Sequence, residues 1–591
     1  MSALYSHYIP SFSRLINDTV NLQALPEACL PTGSDTSTGS SASLSRIKAW
    51  LDICTSSHPA CSQADCQPPP LPTRVIAVGQ KGSSRCRLVS GKEKNSHYAT
   101  LSHCWGDPDH RPLSTTDQTF ACRQQGIEDE ELPKTFQHAV QVCREIGIEY
   151  LWIDSLCIIQ EQESKEDWAK EAPKMGHVYG NSRLTICAAA EADSTRGCFQ
   201  ERHGLFFWPC PVVMFGQACY VFRDPTFEES HYGDPGDLAR RNPLFLRAWV
   251  LQEQALSRRS IVFSKNQLVW RCPTLSTNEK YPLGMPHRPS ILTDNFRLLH
   301  CIINGITSLI PKSLPVDIYT CWHKIVEDFT SRSLTYNEDR LPAIAGIAQR
   351  FGMIANDSYH AGLWRRDMIR GLLWVVADTV EMVIRLATAP SWSWASVNWG
   401  VNYHGVPYGR GNMHCMQLSP LIDVLDILDP TTCGDHPFGA TSKASLRLSG
   451  ILLKVVKDGH SDSGSALAGN GTYFRSQLDA LDLDVWDSDR PTLVCLPVCV
   501  HHGTGWTSDS DSKMYKTSWE RSLKTGQDKF GHHNEIDCLV LQPVEGEQDT
   551  YSRIGLCVFS GSKGGNKNER IKIAEISRMA FEEHRSSLTI V

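Results

Sequence analysis

Apolar and polar positions between residues 97 and 190 alternate between the period of a strand and the period of a helix. A buried strand ending in a glycine turn is predicted for "YATLSHCWG", which starts at Tyr98. A helix follows in "LPKTFQHAVQVCREIG", where apolar residues share one face, Pro133 suits the first turn and Gly147 suits the end. Two more strands are predicted for "IEYLWID" and "RLTICAAA", with a helix between them that Pro173 must kink or restart. The series predicts an α/β domain with a mainly parallel sheet and covering helices.

Further elements are predicted on both sides of this series. Upstream, a Ser/Thr/Gly-rich segment at residues 32–45 should be mobile, and a helix is expected in "SLSRIKAWLDICTSS". Short strands are expected in "RVIAVG" and "RCRLVSG". Downstream, a helix is expected in "RAWVLQEQALSRR", which starts at Arg247, and a strand or hairpin in "SIVFSKNQLVWRC".

Chain length and these patterns indicate several domains. At 591 residues the chain exceeds the size at which a single hydrophobic core keeps growing. The tryptophan-rich "APSWSWASVNW" is expected to form a core strand or interdomain seam rather than an aromatic ligand platform. We predict an N-terminal extension with the flexible Ser/Gly segment at 1–92, the α/β domain at 93–262, a mostly helical region at 263–400 and a strand-rich C-terminal domain at 401–591.

Composition and charge exclude several classes of protein. The 58 basic and 65 acidic residues give a net charge of -7, and no basic run is dense enough to follow a phosphate backbone, so nucleic acid is not an expected partner. The first residues lack a secretory signal, and no run of about 18 apolar residues predicts a transmembrane helix. We therefore expect a cytoplasmic protein whose 22 cysteines are free thiols.

A compact group of potential zinc ligands occurs in "CTSSHPACSQADC", which contains Cys54, His58, Cys61 and Cys66. Zinc accepts thiolates and an imidazole, but four ligands this close lack the usual long separation between two pairs. Ordinary packing at a helix end is the favoured interpretation, so no metal is predicted, and zinc is the alternative. Standard signatures such as the zinc-protease helix, the phosphate loop, the serine elbow and the dinucleotide-binding glycine triplet are absent from the sequence.

Polar residues collect where the predicted parallel strands end. Asp154 ends one strand, and another strand leads into Ser102, Trp105 and Gly106. Ligands in open α/β sheets bind beyond the carboxyl ends of the strands. Both groups should therefore face one ligand-binding edge.

The helix predicted in "RAWVLQEQALSRR" adds three candidates. Trp249 and Glu253 are four residues apart, so on a helix they share a face. Arg247 lies at the helix start, where its guanidinium is placed to meet a carboxylate or a phosphate. The sequence thus predicts that this helix contributes to the same site.

Three stretches, "YATLSHCWG", "YLWIDSLCIIQ" and "RAWVLQEQALSRR", resemble in order and spacing the signature blocks of the fungal heterokaryon-incompatibility (HET) domain family. Further segments that resemble the surroundings of HET domains are "VYGNSRLTICAAA", "DRLPAIAGIAQRF", "AGLWRRDM" and "APSWSWASV". The resemblance covers roughly residues 45–400 well and the strand-rich end loosely. It implies a role in self/non-self recognition and in the programmed cell death that follows fusion of incompatible cells. Self-assembly or other incompatibility proteins are the implied partners.

A second, more remote resemblance bears on mechanism. HET domains are thought to be distant relatives of TIR-type domains, whose fold is flavodoxin-like, and "WVLQE" resembles the W-C-x-x-E segment of TIR domains that cleave NAD. The resemblance implies that Glu253 is the catalytic glutamate, that Trp249 packs beside it, and that NAD is a substrate rather than a bound cofactor. Breaking the nicotinamide–ribose bond builds positive charge on the ribose, which a carboxylate can stabilise.

Structural interpretations of the same residues stay open from the sequence. Glu253 could pair with Arg258 or Arg259, and Asp154 could cap the turn that follows its strand. Cys104 or Cys157 with His103 as base is a weaker catalytic alternative, because neighbours in sequence need not be neighbours in geometry. At the level of function, the alternative to an NAD-cleaving enzyme is a protein that acts by binding others, including one recruited to another pathway such as a biosynthetic gene cluster.

Overall fold

In the computed structural model of the protein, the chain forms two units, Met1–Pro311 and Lys312–Val591. Each unit contains its own large sheet. The structure describes residues 36–62, 67–160, 166–202, 210–214, 217–221, 242–265, 267–279, 300–305, 317–377, 383–403, 418–429, 438, 443–457, 465–468, 472–478, 493–502, 534–560 and 585–591.

A nine-stranded sheet forms the centre of the first unit, in the order β11-β10-β9-β6-β3-β5-β1-β2-β4. A separate hairpin pairs β7 with β8. The strands are β1 (Arg74–Ala77), β2 (Arg85–Ser90), β3 (Tyr98–Ser102), β4 (Ile127–Glu128), β5 (Tyr150–Ile153), β6 (Leu184–Ala188), β7 (Cys210–Met214), β8 (Gln217–Val221), β9 (Ser260–Phe263), β10 (Leu268–Arg271) and β11 (Ser276–Asn278).

The sheet is mixed rather than mainly parallel. Its four central strands, β9, β6, β3 and β5, run parallel, so their carboxyl ends share one edge. The outer strands pair antiparallel, because β1 and β2, and likewise β9 and β10, are joined by short connections that cannot cross over the sheet. The predicted α/β class is confirmed, but the sheet also extends beyond both predicted boundaries of the α/β domain, at residues 93 and 262.

Helices pack around this sheet; those at residues 41–57, 134–146, 166–171, 175–181 and 248–256 lie where the sequence predicts helices, whereas those at 59–62, 117–125 and 154–157 were not predicted. They are α1 (Ser41–Ser57), α2 (Pro59–Ser62), α3 (Asp117–Gln125), α4 (Lys134–Ile146), α5 (Asp154–Cys157), α6 (Glu166–Glu171), α7 (Met175–Asn181) and α8 (Ala248–Leu256). Helix α4 begins after Pro133 and ends at Gly147, which has the left-handed conformation expected of a helix stop. A short 3-10 turn at Ala172–Lys174 separates α6 from α7, which confirms the break predicted at Pro173.

The start of α1 corrects the expectation of a mobile segment at residues 32–45, as far as residues 36–45 are concerned. Ser37 forms a β-bridge with Glu201, and the Ser40 side chain accepts a hydrogen bond from the backbone N–H of Ser43. The buried Ser43 hydroxyl lies 3.2 Å from Oε1 of Glu279. These polar side chains therefore begin a helix instead of forming a linker.

Within its described residues, the second unit combines three α-helices with a large sheet of mostly antiparallel strands. Its helices are α9 (Ile318–Thr330), α10 (Ala345–Ala355) and α11 (Met368–Gly371). Its strands are β12 (Tyr359–His360), β13 (Leu363–Trp364), β14 (Trp374–Val376), β15 (Val401–Tyr403), β16 (Leu418–Pro420), β17 (Asp423–Leu428), β18 (Ser445–Gly450), β19 (Leu453–Lys457), β20 (Ser465–Ala468), β21 (Thr472–Leu478), β22 (Val494–His502), β23 (Asn534–Pro543), β24 (Thr550–Ser560) and β25 (Ser586–Ile590). Six of them, β22, β19, β20, β21, β24 and β23, pair in a closed ring, which removes their free edges.

Tryptophans fill the core beside α9. Trp392 and Trp394, from the stretch predicted to be a core strand, are completely buried, and the indole N–H of Trp394 donates to the carbonyl of Gly362 at 3.0 Å. The expectation of a core position is confirmed. The expected strand is wrong, because a 3-10 turn at Trp394–Ser396 follows Ser393, whose hydroxyl caps it.

Two sequence-level expectations concern the whole chain. Within the described residues, no helix is both long and apolar enough to cross a bilayer. The sixteen cysteines whose side chains the structure describes form no disulfide with one another, and fifteen of them are buried. The expectation of unpaired, packed cysteines is confirmed for those positions.

Candidate functional site

The carboxyl end of β3 leads into a sharp turn that positions several polar side chains. Ser102 ends the strand and is buried, and His103 and Cys104 behind it are also buried. Gly106 has φ +74°, and a Cβ placed on it would lie 2.6 Å from the carbonyl oxygen of His110. Only glycine fits this turn without strain, which explains the glycine in the first block.

Asp154 joins the end of β5 to the end of β3. Its Oδ2 accepts a hydrogen bond of 2.7 Å from the indole N–H of Trp105, and its Oδ1 accepts one of 2.7 Å from the backbone N–H of Ser155. Oδ1 also lies 3.7 Å from Nδ1 of His103. The two strand ends therefore meet at one edge, as their parallel register, Leu101 opposite Ile153, requires.

His103 is a neutral imidazole in this setting. Burial lowers its pKa to about 4, and the nearby Asp154 carboxylate only partly offsets that effect. Its ring meets Phe136 edge-on at 5.0 Å between centroids. Neither ring nitrogen has a hydrogen-bond partner among the described residues. Such buried, unsatisfied polar atoms are rare and often mark functional positions.

Helix α8, which lies in the stretch "RAWVLQEQALSRR", adds side chains at the carboxyl ends of β3 and β5. Arg247 precedes the helix and donates from Nη1 to the carbonyl oxygen of His103, which fixes the guanidinium over the β3 turn. Glu253 lies further along α8 with 4% of its surface exposed. The helix packs against α7, which contributes the buried Tyr179.

Glu253 is a buried carboxyl group whose proton is held unusually tightly. Burial raises its pKa to about 7; Arg247 and the nearby hydroxyls of Ser102 and Tyr179 act in the opposite direction. Asp154 is close enough to add to the increase. The Ser102 hydroxyl favours the ionised form, although Oγ makes no hydrogen bond of standard length within the described part of the chain.

The structural alternative for Glu253 was an ion pair with Arg258 or Arg259, and the structure does not show such a pair. Glu253 makes no ion pair within 4 Å among the described residues, and Arg259 instead donates to the carbonyl of Cys61 at 2.9 Å. The thiol alternative also loses support, because burial raises the pKa of Cys104 to about 11 and that of Cys157 to about 12. Thiols that hold their protons so strongly are poor nucleophiles.

The predicted residues differ in how close they come to the carboxyl groups. Ser102, Trp105, Asp154, Arg247 and Glu253 converge, with Gly106 shaping the turn. Trp249 is half-buried, and its ring meets Trp168 of α6 edge-on at 6.4 Å, so it packs beside the site. We call the group Ser102, His103, Trp105, Asp154, Tyr179, Arg247 and Glu253 the strand-end cluster.

Sequence reasoning missed one member of this cluster. Tyr179 donates from its hydroxyl to the carbonyl of Leu101 at 3.2 Å, and burial raises its pKa well above the usual value, with the Glu253 charge as the next contribution. The tyrosine lies in "VYGNSRL", a segment that the family resemblance already covered. Tyr179 is itself a core residue, so the apolar periodicity could not identify it as a member of the site.

An open α/β sheet with polar side chains at the carboxyl ends of its parallel strands defines a class of proteins that bind ligands at that edge. Residues 98–253 match the model of the family described as heterokaryon incompatibility protein (HET). This match begins at the first residue of β3 and ends at Glu253 in α8. Comparison with curated proteins and with solved structures gave no match. The remote similarity to TIR-type domains stays a prediction.

Proposed function

We propose that this HET-domain protein acts in self/non-self recognition and promotes programmed cell death by cleaving NAD at the strand-end cluster. The observation that carries the proposal is Glu253, a buried carboxyl group of raised pKa that is close enough to the Asp154 carboxylate at the end of β5 to feel its charge. Carboxyl groups perturbed by burial and by a like charge are concentrated at functional sites. The family match supports the cellular role.

Cleavage of the nicotinamide–ribose bond requires little more from the protein than a negatively charged group placed near the ribose. When the bond between C1′ of the ribose and nicotinamide breaks, its electron pair leaves with nicotinamide and positive charge develops on the ribose. An ionised Glu253 lowers the energy of that charge in a dry surrounding, and water then adds to C1′ and releases a proton. Arg247 has further N–H donors beside the one bound to His103, and these suit the pyrophosphate of the dinucleotide.

The raised pKa of Glu253 sets an expected pH dependence. Because the ionised carboxylate is the active form in this mechanism, the rate should rise as pH increases through about 7 and level off above it. A protein in cytoplasm would then work near the midpoint of this titration. Clustering by self-assembly or by another incompatibility protein is the trigger that we propose.

A second function, interaction without catalysis, has two observations in its favour. Only 4% of Glu253 is exposed, and the Asp154 carboxylate is already hydrogen-bonded by Trp105. On this view the strand-end cluster fixes the β3 and β5 turns and the protein signals by binding partners. The two functions differ in whether cell death consumes NAD.

Controlled expression in a fungal host tests both functions at once. Cell viability and total NAD are followed after induction of the wild type, of Glu253→Gln and of Glu149→Gln, which changes an exposed glutamate of the same domain. We expect NAD to fall before viability with the wild type and Glu149→Gln, and neither to fall with Glu253→Gln at equal protein abundance. Death at constant NAD, equally strong with Glu253→Gln, would support interaction and reject cleavage.

A further inference from the structure

Three cysteines and one histidine from distant parts of the chain meet beside the β10–β11 hairpin. Cys54 lies in the last turn of α1, His58 between α1 and α2, Cys61 in α2, and Cys272 directly after β10. One potential ligand atom from each residue lies within 4.8 Å of the other three. His58 and Cys272 are 214 residues apart, and yet Nδ1 of His58 is 3.5 Å from Sγ of Cys272.

From this arrangement we infer that the protein binds a structural Zn²⁺ ion through Cys54, His58, Cys61 and Cys272. Sequence spacing suggested Cys66 as a fourth ligand, but that residue lies outside the described residues, and Cys272 supplies the separate ligand that a compact motif lacks. Three thiolates and one imidazole are an established zinc ligand set. The inference does not depend on NAD cleavage, since the four residues lie outside the segment that matches the HET family.

The distances suit a tetrahedral site. With zinc–sulfur bonds of about 2.3 Å, sulfur atoms at the corners of a tetrahedron are about 3.8 Å apart. The observed separations, 3.5 Å for one pair and no more than 4.8 Å for any pair, need only small side-chain rotations to reach that value. Four protein ligands leave no open position for water or substrate, so the ion would stabilise the fold rather than catalyse a reaction.

Groups around the four residues suit thiolates better than thiols. The backbone N–H of Leu275 donates to Sγ of Cys272 at 3.2 Å, and Nε of Arg259 donates to Sγ of Cys54 at 3.2 Å. Zn²⁺ bound to three thiolates carries one net negative charge, which the buried Arg259 guanidinium balances. All three sulfur atoms belong to side chains that are at most 5% exposed, so water would not compete for the ion.

The ion would fasten α1 and α2 to the edge of the nine-stranded sheet. Other contacts hold the same elements together: the rings of Trp50 and Trp270 lie 6.3 Å apart, and Arg46 of α1 forms a buried ion pair with Glu279 after β11. Loss of one zinc ligand should therefore weaken the fold without abolishing it. Single-ligand variants are consequently usable as tests.

Zinc content of the purified full-length chain is the direct test. Protein prepared without chelator is analysed for zinc and iron by mass spectrometry, alongside Cys272→Ala and the control Cys143→Ala, which removes a buried thiol from α4. We expect about one zinc per chain in the wild type and the control, and less than about a tenth of that in Cys272→Ala. His58→Cys should keep zinc and His58→Ala should lose it, because four thiolates also form a zinc site.

Co²⁺ as a probe separates a metal site from a packed group of thiols. Added to zinc-depleted protein, Co²⁺ should give the visible absorption of tetrahedral cobalt thiolate in the wild type and in Cys143→Ala, but not in Cys272→Ala. Removal of zinc should lower the melting temperature of the wild type and leave that of Cys272→Ala unchanged. No stoichiometric zinc even after Zn²⁺ is added, iron in its place, equal zinc in Cys272→Ala, or a disulfide between two of the three cysteines would each overturn the inference.

Discussion

At the scale of single residues, the proposed chemistry depends on Glu253. The carboxyl group is buried on α8, where Arg247, Ser102, Asp154 and Tyr179 all act on its pKa, and it forms no ion pair within 4 Å among the described residues. A carboxyl group in this position costs stability when it is ionised, and proteins retain such groups where function requires them. Removal of the Glu253 carboxylate should therefore lower activity and raise the free energy of unfolding.

Glu253→Gln should stabilise the protein at alkaline pH. The pKa rises from 4.5 in the unfolded chain to about 7 in the fold, so the folded state keeps a proton that the unfolded state loses between these values. The contribution of this carboxyl group to the free energy of unfolding is fully present below pH 4.5 and is lost as pH increases through about 7. The total loss is about 3 kcal/mol, and the glutamine variant avoids it.

Urea unfolding at pH 5 and pH 8 measures this difference. Wild type and Glu253→Gln should differ by less than about 1 kcal/mol at pH 5, and the variant should be more stable by up to about 3 kcal/mol at pH 8. Glu149→Gln, which changes an exposed side chain, should follow the wild type at both values. A variant that is less stable than the wild type at pH 8 would show that the ionised carboxylate is favoured in the fold.

At the scale of elements, local patterns predicted most helices and strands, whereas pairing between distant strands was not predictable. Helix α4 and strand β5 follow directly from apolar period and from Pro133 and Gly147. The mixed sheet could not be read from sequence, because which strands join its edges depends on contacts far apart in the chain.

The same limit applies to the sites. The sequence predicted that Ser102 and Asp154 share an edge of the sheet, because both follow strands that were expected to be parallel and such strands end at the same edge. Tyr179 and Cys272 were missed, since each reaches its cluster from an element whose position only the folded chain defines. The interpretation of Cys54, His58 and Cys61 changed for this reason alone.

The turn after β3 is the element whose geometry should be most sensitive to substitution. Gly106→Ala forces a side chain into a positive φ and brings Cβ within 2.6 Å of a backbone oxygen, so we expect a loss of about 2 to 4 kcal/mol. Gly147→Ala is the matched control: φ is +77° and nothing lies within 4 Å of the added Cβ, so about 1 kcal/mol should be lost. Equal urea midpoints for the two variants would contradict a close-packed turn at the site.

At the scale of the whole molecule, the first unit contains a complete sheet, its covering helices and both sites. Its core includes residues from α1 through β10, such as Ile47, Phe136 and Trp270. A fragment spanning residues 36–311 should therefore fold alone. Circular dichroism and a cooperative urea transition would establish this, whereas a fragment without cooperative unfolding would show that the unit depends on residues 312–591.

The central claim is that the strand-end cluster of this HET domain cleaves NAD through Glu253. Nicotinamide release from NAD by the purified full-length chain, alone and artificially clustered, tests it most directly, with Glu253→Gln and Glu149→Gln measured at equal concentration and confirmed folding. We expect release by the wild type and Glu149→Gln to increase with pH through about 7, and release by Glu253→Gln to be lower by at least about a hundredfold. Release that is unchanged in folded Glu253→Gln, or absent from the wild type in every state of assembly, would contradict it.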